Sequence, residues 1–86
     1  MTRENEERSR KVYKAYQGDI VELTRRLVEE IDHHAAYAEK EGFGWWAVGD
    51  IARIRETLVL KLADLSAQSP ADIMESLEGT RVRRET

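Results

Sequence analysis

The chain has no cysteine and a single proline in its 86 residues. No disulfide framework and no thiolate metal site can staple it, and nothing in its composition marks an extended, proline-rich segment. Aromatic residues number six, and the longest unbroken apolar runs are a few residues, far short of the ~20 needed to span a bilayer. The first eleven residues are charged throughout and lack the apolar centre of a secretory signal, so a cytoplasmic location is expected. Catalytic signatures are missing as well. There is no Gly-x-Ser-x-Gly elbow, no phosphate-cradling glycine loop and no pair of carboxylates facing inward on one helix face. The expectation is a protein that is not an enzyme and holds no cofactor.

What is present is helical periodicity. Apolar residues make up 41% and charged residues 36%, a balance too apolar for a chain disordered throughout. Two long amphipathic runs, 12–41 and 48–67, flank the turn Gly42-Phe43-Gly44-Trp45-Trp46. In the first, Tyr13, Tyr16, Ile20, Leu23, Leu27, Ile31, His34 and Ala38 fall within one arc at about 100° per residue. That phase persists across Gly18, which predicts one continuous helix even though Asp19 and Glu22 have the form of a capping box. In the second run the main stripe is Ile51, Ile54, Leu58, Leu62 and Leu65. Its start is ambiguous, with Gly44 or Asp50 available as N-cap. Ser69 as cap, Pro70 as first helical residue and Gly79 past the end frame a third, short helix over 70–78.

The predicted fold is therefore all-α, a long helical hairpin plus a short C-terminal helix. Residues 1–11 form a charged extension, helical or frayed. Residues 12–79 form the hairpin domain, and 80–86 a basic flexible tail. Each long helix also carries a second apolar line: Val21, Val28 and Ala35 on the first, and Val48, Ala52, Val59 and Ala63 on the second. One hairpin partner cannot cover both lines. A domain this small buries little surface alone, so a homodimeric four-helix bundle is expected, with those seven residues in its interface.

Several residues stand out as candidate sites, each with a plainer structural reading. Phe43, Trp45 and Trp46 gather at the tip; they form either a lid over the bundle end or a contact for another protein. Arg55 interrupts the apolar arc of the second helix. Simple antiparallel register sets it level with Glu30, so a Glu30–Arg55 ion pair would fix register more than it stabilises. Glu30 and His33 stand in the Glu-x-x-His relation of carboxylate-bridged di-metal bundles, with His34 adjacent. Against that reading, His33 points away from the stripe centre, and the second helix offers no inward carboxylate to complete a site.

The net charge is −3, distributed as +1 over 1–11, −6 over 12–79 and +2 over 80–86. An acidic body argues against a broad phosphate-binding face, leaving nucleic-acid association open on architecture alone. The function these features predict is a non-enzymatic interaction or regulatory module of the inhibitor or adaptor type, binding itself and another protein. A nucleic-acid-associated regulator and a metal-binding bundle are the alternatives.

Overall fold

The computed structural model describes residues 2–85, with three α-helices and no strand among them. The chain divides into two units, the first ending at Gly42 and the second beginning at Phe43.

The first unit is a single helix, α1 (Arg3–Glu41), of 39 residues. Thr2 caps it: its backbone is extended and its Oγ1 accepts the amide of Asn5 at 3.3 Å. The charged opening is thus part of the helix. The three acid-before-base pairs available there, Glu4–Arg8, Glu6–Arg10 and Glu7–Lys11, form no ion pair among the described residues. The helix runs unbroken through Gly18, where a β-carbon would meet nothing within 4 Å. It stops at Gly42, whose φ of +95° lies in the region that glycine enters without steric cost.

The second unit holds α2 (Trp45–Ser66) and α3 (Pro70–Glu85), which pack against each other. Of the two available caps, Gly44 starts α2 rather than Asp50. A β-carbon at Gly44 would stand 2.8 Å from Cδ1 of the Trp46 indole, so that ring lies where only glycine leaves room. At its other end α2 closes on Ala67, which takes a left-handed φ of 62°. An alanine there carries a steric cost of about 1 kcal/mol that glycine does not. Ala67→Gly should raise the thermal midpoint of the second unit by a few degrees; an unchanged or lower midpoint would show that denatured-state entropy offsets the relief.

Ser69 then caps α3, its Oγ accepting the Asp72 amide at 3.1 Å, and Pro70 fills the first position. The helix does not end at Gly79 as the sequence pattern predicts. It continues to Glu85, so the segment expected as a flexible tail is helical over 80–85. The reason is local. Arg83 and Arg84 sit in the last turn, where cations complement the helix dipole. One interior glycine costs about 1 kcal/mol, too little to break a helix supported on both sides.

Buried apolar side chains are few. Ala38 in the first unit and Ala47, Val59 and Ile73 in the second are the buried hydrophobic residues described. The accessible surface is 7828 Å². No helix is long and apolar enough to cross a membrane among the described residues.

Candidate interaction surfaces

The apolar stripe of α1 splits into two stretches. Leu27, Ile31 and His34 are half-buried and Ala38 is buried, four residues at the i, i+4, i+7, i+11 positions of one face. Toward the N-terminus the same face is open: Tyr13 is 69% exposed, and Tyr16, Ile20 and Leu23 are comparable. Val12 is exposed beside them. Four large apolar side chains in a row at 3-4-3 spacing, all wet, are not what a finished surface presents. The second line of α1, Val21, Val28 and Ala35, is exposed along its whole length.

In α2 the pattern differs from the sequence expectation. Of the main stripe, Ile51, Leu58, Leu62 and Leu65 are exposed, Leu65 at 89%, and Ile54 is half-buried. Burial falls on the flank instead: Val59 is 6% exposed, Ala63 is half-buried, and Ile73 of α3 is 4% exposed. Since α2 and α3 pack together, the third helix has taken the line that periodicity assigns to a dimer seam. Val48 and Ala52 remain exposed on that line, while Val59 has no surface to offer a second chain.

The tip aromatics divide likewise. Trp45 is 86% exposed and Phe43 is largely exposed; Trp46, against Gly44, is less so. The first turn of α2 carries no acidic residue and no side-chain cap, so the tip is apolar and uncharged.

Charged groups of α1 are organised by local pairs. Arg25 joins two carboxylates, with Nε 3.0 Å from Glu22 Oε1 and Nη1 on Glu29, and Arg26 Nε also reaches Glu22 at 3.3 Å. The hydrogen bond from Arg25 lowers the Glu22 pKa below its ordinary value and raises that of Arg25 in return. Glu22 therefore goes to its own helix instead of completing a capping box with Asp19.

Glu30 Oε1 lies 3.6 Å from His33 Nδ1, both side chains three-quarters exposed. Arg55, in the other unit, opens onto a shallow depression of about 470 Å³ lined with Ala71, Met74, Glu75, Glu78 and Arg81. The acidic neighbours of Arg55 in its own unit are thus Glu75 and Glu78 of α3, which sequence register did not bring to it. His34 is half-buried. Among the described residues no group of three or more His, Asp or Glu side chains is placed to hold a metal ion.

Compared with family models, with curated proteins and with solved structures, the chain matches none.

Proposed function

We propose that the protein is a non-enzymatic interaction module that works as a homodimer, its long helices assembled into a four-helix bundle of two hairpins. The observation that carries this reading is the state of α1. A 39-residue amphipathic helix that constitutes a unit by itself, with Ala38 as its one buried hydrophobic residue described, has no core of its own. Helices in water owe most of their stability to packing of an apolar face, and here that face is exposed over Tyr13, Tyr16, Ile20 and Leu23. A hairpin partner is too short to supply it. At 1.5 Å per residue α1 is about 58 Å long and α2 about 33 Å, so α2 has the length to cover little more than half of α1. A second copy offers the missing length and the matching stripe.

The tip then serves the module's other partner. Trp45 and Phe43 present uncharged, aromatic area with few rotatable bonds, the composition of binding hot spots. Sedimentation equilibrium on the wild type, followed by affinity capture with wild type and Trp45→Ala/Trp46→Ala side by side, tests both halves. The expected result is a dimer in both proteins, with a specific captured protein lost only from the double variant. A monomer at every concentration, or capture indifferent to the tryptophans, overturns the corresponding half.

A further inference from the structure

The residues that flank the open stripe of α1 carry an instruction about how a second copy docks on it. Tyr13, Tyr16, Ile20, Leu23 and Leu27 alternate at intervals of three and four, the seam of a two-helix coil. Asp19 and Arg26 border this seam on the same side, seven residues apart. Between them α1 has a shallow depression of about 240 Å³ lined with Asp19, Glu22, Leu23 and Arg26. Their i, i+3, i+4 and i+7 spacing makes a four-cornered hole on one flank of the seam, beside Leu23. An acid closes one end of the hole and a base the other. Asp19 makes no hydrogen bond or ion pair among the described residues, and Arg26 engages Glu22 through Nε alone.

We infer that two copies pair antiparallel along residues 13–30 of α1, in the one register that sets Asp19 of each copy against Arg26 of the other. This rests on the homodimer proposed above and adds orientation and register to it. In that register Ile20 meets Leu23 and Tyr16 meets Leu27 across the two-fold axis, twice each, and Tyr13 lies level with Glu30, whose carboxylate can accept its phenolic hydrogen. The alternatives are penalised by the same residues. Sliding one copy by a heptad in one direction puts Asp19 against Asp19, and in the other Arg26 against Arg26. A parallel pair would bring Glu30 level with Glu30 at the edge of the seam. Like charges held together at a desolvated seam select against a pairing more strongly than exposed ion pairs select for one. Gly18 lies half a turn away from this seam, consistent with its open surroundings.

Charge exchange tests the register in the full-length chain. Asp19→Arg sets a second guanidinium against Arg26, twice per dimer, and should weaken association about tenfold or more. Adding Arg26→Asp in the same chain restores opposite charges at both contacts and returns the net charge to that of the wild type. The dissociation constant of this double variant should return to within a few-fold of wild type. Orientation is read independently, because a chain without cysteine accepts engineered ones cleanly. Ile20→Cys mixed with Leu23→Cys should form a disulfide-linked heterodimer under mild oxidation, and Ile20→Cys alone should not. Self-linking of Ile20→Cys without the mixed product, or a wild-type dimer indifferent to Asp19→Arg, overturns the antiparallel register and leaves the dimer standing. A wild-type chain that sediments as a monomer overturns the dimer and the register together.

Discussion

Ile20→Asp should leave the protein monomeric at concentrations where the wild type is a dimer, with dissociation at least about a hundredfold weaker. Position 20 lies in the middle of the exposed α1 stripe, and a carboxylate there must lose its water for a second helix to dock. The helical signal in circular dichroism should fall with it. α1 contributes 39 helical residues, and without a facing helix its N-terminal half keeps only local hydrogen bonds. Gly18→Ala is the control on the same helix: it points away from the stripe, meets nothing within 4 Å, and should leave association unchanged while raising helicity slightly. Sedimentation and dichroism measured together decide the matter. Unaltered association and helicity in Ile20→Asp would mean that the stripe stays wet in solution.

Ile73→Ala should unfold α3 from α2 with little effect on the dimer. Ile73 is buried in α3, and the second unit has few other buried apolar residues to share the load. Truncating a buried isoleucine to alanine costs about 2 to 5 kcal/mol, a large part of what so small a unit possesses. Amide exchange read by NMR should show α3 losing protection first, along with the α2 residues around Val59. The α1 amides should keep the protection that the proposed dimer would give them. If α1 and α3 lost protection together, the two units would unfold as one and their separation would be invalid. Retained protection in α3 would show instead that its caps and local hydrogen bonds suffice.

The elements themselves were legible because their determinants are local. Gly42 and Ser69-Pro70 act through backbone geometry that neighbours scarcely modify, and all appear where composition put them. Continuity through Gly18 followed from the unbroken phase of the stripe. The extension of α3 past Gly79 was misread because glycine closes a helix through a left-handed φ; Gly79 does not take one, and the terminal arginines favour the helical path. The choice between Leu58 and Val59 as the inward residue of α2 was not legible at all. Both lines are apolar at helical spacing, and which one is buried depends on where α3 lands, a tertiary fact with no signature in α2's own sequence. For the same reason the depression that Arg55 shares with Glu75 and Glu78 of α3 has no signature in α2's own sequence.

The bare start of α2 has a mechanical consequence. With neither a carboxylate in its first turn nor a hydroxyl to accept its leading amides, that turn is the least anchored of the helix, and it bears both tryptophans. The Trp45 ring, 86% exposed, depends on that turn for its placement. A partner that supplied acceptors to those amides would tighten the turn at the moment of contact.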